Sequence, residues 1–245
     1  MKRYHILDEI RGITIISMLM YHTMWDIVEI FDKKIPWLND VVDNIWQNSI
    51  CITFIFLSGF CYCFGKRKLY RGLQVLGGGI IISVVTHLVT PDFKIWFGIL
   101  TMLGVSMLLM IPLEKYLAKV PGLLGFLICI VCFVITKNIN DGYLSFGPFK
   151  LLDLPEELFN KGDIMTFIGF TDRNFTSGDY FSLIPWFLIF VAGFYLNRIM
   201  VKKEWMSRLE KMPSLGKWLQ MLGTHSLIIY MIHQPIIYGV LHILF

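Results

Sequence analysis

Residues 45–71 read IWQNSICITFIFLSGFCYCFGKRKLYR. From Ile45 to Gly65 no Asp, Glu, Lys or Arg interrupts the run, and about 20 mostly apolar residues are what a helix needs to cross a bilayer. The apolar residues are continuous rather than alternating, which points to a helix and not to a barrel strand. Directly beyond them Lys66, Arg67, Lys68 and Arg71 place four cations at one end, as expected where a span emerges on the cytoplasmic side.

The rest of the chain repeats that pattern. Its 245 residues are 56% hydrophobic and 16% charged, against roughly 25% charged in an ordinary soluble domain. Such a chain cannot hide its apolar side chains in a water-soluble globule, and the same composition excludes disorder. Seven runs of spanning length lie near 6–31, 45–65, 72–90, 95–113, 118–136, 180–200 and 222–244. The expected fold is therefore all-α: one polytopic membrane domain over 1–245, a bundle of about seven transmembrane helices. With the N-terminus cytoplasmic, fifteen of the 22 basic residues and only five of the 18 acidic ones fall on the cytoplasmic side, which fixes the orientation. The same asymmetry explains the net charge of +4 without a nucleic-acid partner. All five cysteines lie inside apolar runs and read as inert packing residues rather than a disulfide framework. No small-residue cleavage site closes the first run, so no signal peptide is expected.

Two connections are long. Residues 137–179 face outward with an amphipathic stretch near Leu151–Phe159, either a lid over an outward-facing site or a plain connector. Residues 201–221 mix basic residues with Trp205, Met206 and Trp218, the pattern of an interfacial amphipathic helix on anionic lipid.

Ionisable residues inside spans carry the functional signal, because their cost in lipid is tolerated only toward a bundle interior or a water-filled cavity. At about 100° per residue, Asp8, Arg11, His22 and Asp26 fall within about 60° of one another on the first helix. Asp8 and Arg11 are spaced i,i+3 and can pair. His22 and Asp26 are spaced i,i+4, which allows a carboxylate to orient an imidazole. Arg11 and His22 are about 16 Å apart along the helix at 1.5 Å per residue. They could hold the two ends of one elongated ligand. The last run places Ser226, Tyr230, His233 and Gln234 on a second polar stripe, with Pro235 beside His233. His233 is either a site residue or an interhelical hydrogen-bond partner. Ser58-Gly59 offers a small, close-approach position on the second span. The cluster Lys66, Arg67, Lys68 and Arg71 is either the positive-inside signal alone or a phosphate site. At the outer mouth of the sixth run, Asp179 and Trp186 could meet an amine or sugar hydroxyls, or serve as interfacial anchors. No metal-ligand cluster or nucleotide-binding loop is present in the sequence.

These pieces together resemble the transmembrane acyltransferases. The opening Arg3-Tyr4-His5-Ile6-Leu7-Asp8-Glu9-Ile10-Arg11-Gly12, followed by His22, is similar to that group's first helix. Phe56-Leu57-Ser58-Gly59-Phe60 and Lys68-x-x-Arg71 resemble its second span and basic motif. Gly223-Thr224-His225-Ser226, continuing to His233-Gln234-Pro235, resembles its closing helix. Within the group the likeness is to short bacterial relatives of the heparan-alpha-glucosaminide N-acetyltransferase catalytic domain. The resemblance implies acetyl transfer from cytosolic acetyl-coenzyme A to an amine or hydroxyl of a sugar or glycan across the membrane, here the bacterial cytoplasmic membrane. It implies His22 as general base with Asp26 supporting it. Asp8, Arg11, Lys66, Arg67, Lys68 and Arg71 would serve the coenzyme, and Ser58, Asp179, Trp186, His233 and Gln234 the acceptor. Membrane lipid surrounds such a protein, and a homodimer is an expectation because described relatives have ten or more spans. A small-solute transporter using the same buried charges is the alternative.

Overall fold

A computed structural model describes residues 4–245. Lys2 and Arg3, counted above in the charge bias and the opening motif, lie outside the described residues. Among the described residues the chain forms ten α-helices and one two-stranded hairpin. The helices are α1 (His5–Glu29), α2 (Asp40–Tyr62), α3 (Lys68–Val89), α4 (Ile99–Leu117), α5 (Gly122–Thr136), α6 (Asp163–Ile168), α7 (Leu183–Lys202), α8 (Met206–Lys211), α9 (Lys217–Thr224) and α10 (Ser226–Leu244). Between α5 and α6 lie β1 (Tyr143–Phe146) and β2 (Phe149–Asp153).

Six segments are long and apolar enough to cross a membrane: α2, α3, α4, the stretch Gly122–Asp141 that contains α5, α7 and α10. The protein is a polytopic helical membrane protein. The seventh span expected over 6–31 is not among those six segments: α1 has 25 residues, about 37 Å at 1.5 Å per residue, but its Asp8, Glu9, Arg11, His22, Asp26 and Glu29 make it less apolar than the six. Large apolar side chains stand exposed along these helices, Leu88 at 74% and Ile243 at 85% among them; in water this would be a liability, and against lipid it is the expected surface.

Several boundaries depart from the apolar runs, each for a local reason. α2 begins at Asp40 because the Asn39 side chain accepts from the backbone N–H groups of Val41 and Val42 at 3.1 Å each, and Asp40 and Asp43 suit the positive end of a helix. α5 begins only at Gly122, after Pro121, which can precede a helix but not continue one. The run at 222–244 is broken at His225, which leaves helical geometry (φ −100°, ψ 14°). Its Nδ1 lies 2.9 Å from the Met221 carbonyl oxygen. The interfacial helix expected across 201–221 is accordingly two short helices, α8 and α9. In the outward segment 137–179, Leu151–Asp153 lie in β2, and the hairpin pairs Tyr143 with Asp153 and Phe146 with Phe149 around an irregularity at Leu144/Ser145.

The chain divides into two compact units. The first contains residues up to Leu57 and from Lys203 onward. In it α1 packs on α9 and α10, with Ile15, Met18, Tyr21 and Ile50 as a core flanked by Trp25, Trp46, Phe54, Ile229 and Tyr230. The α1–α9 contact is backbone to backbone. A Cβ on Gly12 would fall on the Leu219 carbonyl, and one on Gly223 would fall on the Asp8 carbonyl, the close approach that small residues permit between helices in lipid.

The second unit runs from Ser58 to Lys202 and pairs α3 with α4 and α5 with α7. The end of α2 meets α7 here: Gly59 lies against the Phe190 carbonyl, where a Cβ would collide. The buried Asn197 amide donates to the Phe60 carbonyl at 3.0 Å, recovering a polar group that lipid could not satisfy.

Candidate functional site

In the first unit, α1 and α10 bring four polar side chains together. The His22 and His233 rings face each other with centroids 4.7 Å apart and planes tilted by 55°. One turn beyond His22, Asp26 is completely buried and its Oδ1 accepts from Gln234 Nε2 at 2.7 Å. His233 is 7% exposed. Its Nδ1 lies 2.5 Å from the carbonyl oxygen of Tyr230, three residues earlier on the same helix.

That last contact decides a protonation state. A carbonyl oxygen only accepts, so Nδ1 carries the hydrogen and neutral His233 presents Nε2 as a bare lone pair. Nε2 has no hydrogen-bond partner, and neither do Asp26 Oδ2 and Gln234 Oε1. All three are acceptors, and buried polar groups are ordinarily paired. Together with His22 they form a built polar site within an apolar helix pair.

The i,i+4 pairing of Asp26 with His22, expected from spacing, is replaced by the Asp26–Gln234 bond between helices. The second carboxyl oxygen, Oδ2, has no partner and lies about one turn from His22. The i,i+3 pairing is formed: Arg11 Nη1 lies 3.6 Å from Asp8 Oδ1. Tyr21 donates its hydroxyl to Asp43 at 3.3 Å, and Trp46 Nε1 donates to Ser17 Oγ at 2.8 Å, which ties α2 to the outer half of α1 around the histidines.

At the other end of α1 the spacing argument missed a residue. Glu9 is fully buried; its Oε1 accepts from Ser214 Oγ at 2.6 Å and Gln220 Nε2 at 2.8 Å, with His5 Nδ1 at 3.5 Å. Glu9 lies about 100° off the stripe of Asp8 and Asp26, and its partners are some two hundred residues away in sequence. Only its placement within the opening motif marked it.

In the second unit, Lys68 and Arg71 occupy the first turn of α3. Four unpaired backbone N–H groups and the positive dipole end make such a turn unfavourable for cations alone and favourable for a bound anion. Lys66, Arg67 and Arg71 are exposed. Lys68 is ion-paired with Glu114 and lies 4.5 Å from the Tyr62 ring centroid. Ser58 is half-buried on α2 beside Gly59. Arg198, counted before only as a cytoplasmic charge, donates from Nη2 to the Ala118 carbonyl at 2.8 Å.

The outer segment of this unit is firmly built. Asp179 Oδ2 accepts from the Ile99 backbone N–H at 3.2 Å, capping α4, and Ser177 Oγ bridges the Trp96 and Asp179 carbonyls. The Trp186 ring packs 5.0 Å from Phe181 and 5.7 Å from Phe133. Both side chains therefore have structural partners of their own. Among the described residues no group of three or more His, Cys, Asp or Glu could hold a metal ion, and the cysteines are free thiols.

Compared with known proteins, residues 3–235 match the family model described as heparan-alpha-glucosaminide N-acetyltransferase, catalytic. No curated protein and no solved structure matches the chain.

Proposed function

Because the chain belongs to the heparan-alpha-glucosaminide N-acetyltransferase catalytic family and is a membrane acetyltransferase by that membership, we propose that it moves an acetyl group from cytosolic acetyl-coenzyme A to an amine or hydroxyl of a sugar or glycan on the far side of the membrane. The observation that carries this reading is the pair of adjacent imidazoles on α1 and α10, half-buried His22 and buried His233, the latter with a bare nitrogen. His22 is the general base that removes the acceptor's proton as its N or O attacks the thioester carbon. The C–S bond breaks, and the same proton then passes from His22 to the departing thiolate, so that acetylated acceptor and free coenzyme A are the products. Asp26 supplies negative charge near the imidazolium formed at His22, with Gln234 holding the carboxylate in place.

The donor is the substrate with the most charge to satisfy. Lys66, Arg67 and Arg71, exposed around the first turn of α3, suit its phosphates, with Lys68 joining them when it leaves Glu114. Arg11, paired to Asp8, is a further cation on the cytoplasmic part of α1. Gln234 offers a hydrogen bond to the acceptor and His233 lines its cavity; Ser58, Asp179 and Trp186, in the other unit, are further candidates for the acceptor.

The test uses proteoliposomes with radiolabelled acetyl-coenzyme A on the cytoplasmic side and glucosamine on the other. Acetylated glucosamine and an equal amount of free coenzyme A are expected. Glucosamine that crosses unmodified would support a transporter and count against the enzyme. In the His22→Ala variant, turnover is expected to fall by about 100-fold or more, the usual worth of a positioned base, while acetyl-coenzyme A binding measured by calorimetry is largely kept.

A further inference from the structure

The bare Nε2 of His233 takes no part in the proposed proton transfer, yet it lies in the site beside His22. Tyr230's carbonyl holds the hydrogen on Nδ1 at 2.5 Å. Nε2 is buried with no partner, and the ring stands 4.7 Å from His22, centroid to centroid. With His233 held by Tyr230, that separation leaves its Nε2 within reach of an N–H on His22 once the His22 ring turns. Neutral His22 has one N–H to place; the imidazolium has two.

We infer that His233 is the positioning residue of His22: its Nε2 accepts the N–H on the His22 nitrogen opposite the one that takes the acceptor's proton. This deepens the proposed function and rests on it. The bond closes as the acceptor binds and strengthens when His22 becomes an imidazolium, so it stabilises the transition state more than the ground state, the only kind of interaction that accelerates the chemical step. The proton itself is not passed on to His233. It stays on the His22 nitrogen that faces the substrates until it goes to the departing thiolate, while His233 holds the opposite N–H. The arrangement gives His233 the part that spacing had suggested for Asp26. The carboxylate is engaged by Gln234, and the orientation of His22 comes instead from an imidazole whose tautomer is set by a main-chain oxygen, in the manner of the third member of a catalytic triad.

Two substitutions separate this from a packing role. His233→Asn keeps a donor near Nδ1 for the Tyr230 carbonyl and removes the acceptor at the Nε2 position. His233→Gln can restore an acceptor oxygen near Nε2 while losing the Tyr230 contact. With acetyl-coenzyme A and glucosamine as substrates, Asn is expected to lower kcat by about 100-fold with KM for both substrates little changed, and Gln to recover at least tenfold of that loss. Nitrogen NMR on histidine-labelled wild type in micelles is expected to show His233 as the Nδ1–H tautomer. The Nε2–H tautomer would overturn the inference, because that nitrogen could then accept nothing. Equal losses in Asn and Gln, or an Asn variant more active than Gln, would overturn it too while leaving the acetyltransferase standing. A wild type that folds but transfers no acetyl to glucosamine overturns the proposed function and this inference with it.

Discussion

Gln234 on α10 donates its side-chain amide to Asp26 Oδ1 on α1 at 2.7 Å, so a carboxylate with no exposure at all is held by a partner 208 residues away. In lipid, the alternative to such a partner is an unsatisfied charge or a neutralised acid, and ionisable groups at such depth face one another or a cavity. The bond both joins the two helices that carry the histidines and keeps Asp26 turned toward the site.

Replacing Gln234 with Leu should therefore cost more than an average interhelical hydrogen bond. Such bonds average about 0.6 kcal/mol in membranes and reach about 1.7; stranding a buried carboxylate places this one at the upper end. Unfolding in mixed micelles should show about 1.5 kcal/mol lost. The double variant Asp26→Leu/Gln234→Leu should lose less than the two single variants together, since it removes both halves of the pair. Strict additivity would mean that the bond contributes nothing.

A second prediction concerns the cations at the start of α3. Lys68 is the only one of the four not fully exposed, and Glu114 holds it. If this turn receives the phosphates of the donor, Glu114 competes with them. Glu114→Gln should tighten acetyl-coenzyme A binding by about two- to fivefold, the equivalent of a partly exposed ion pair worth up to about 1 kcal/mol. Lys68→Glu/Arg71→Glu should abolish binding in the same calorimetric titration. Unchanged affinity in both would remove the phosphates from this turn.

How far the sequence reached follows from what a one-dimensional pattern can encode. The apolar runs mark six of the seven expected spans, because a span depends on composition over some 20 residues. The stripe of Asp8, Arg11, His22 and Asp26 was legible because helical geometry fixes their angles in advance, and Asp8–Arg11 pairs as the spacing suggests. Spacing failed at Asp26 because a longer-range partner, Gln234, outcompetes a neighbour on the same helix. It could not reveal the Tyr230 carbonyl, which sets the state of His233 and belongs to the main chain. Glu9 was passed over because its partners, Ser214 and Gln220, lie at the far end of the chain. The break at His225 falls at Thr224-His225-Ser226, three polar residues inside an otherwise apolar run.

Glu9 supports the third prediction. Its Oε1 holds both Ser214 and Gln220, so it fastens the segment between α8 and α9 to the cytoplasmic end of α1. Lys211 and Lys217 flank that segment and are exposed. In Glu9→Ala the two hydrogen bonds to this acceptor vanish together. Local opening should become at least about tenfold more frequent, and cleavage by trypsin at these lysines should accelerate to match. Glu9→Gln keeps an acceptor oxygen and should be cleaved at a rate between the two. A Glu9→Ala variant as resistant as wild type would show that the glycine-mediated contact of α1 with α9 suffices alone.

The last prediction uses two glycines in opposite surroundings. Gly59 on α2 lies against the Phe190 carbonyl of α7, so a methyl group there would have to displace backbone, whereas a Cβ on Gly77 in α3 would meet nothing within 4 Å. Helix propensity favours alanine over glycine by about 0.5–1 kcal/mol at both positions, so propensity alone predicts that both variants gain. Packing reverses the sign at Gly59. Separating two helices to admit a methyl forfeits contacts along the whole interface, including the Asn197 bond to Phe60 one residue further on, and overpacking of this kind costs about 1–3 kcal/mol. Gly59→Ala should therefore unfold at lower temperature than wild type in detergent, and Gly77→Ala at the same or a higher temperature. A Gly59→Ala variant as stable as Gly77→Ala would mean that α2 and α7 do not meet at this glycine.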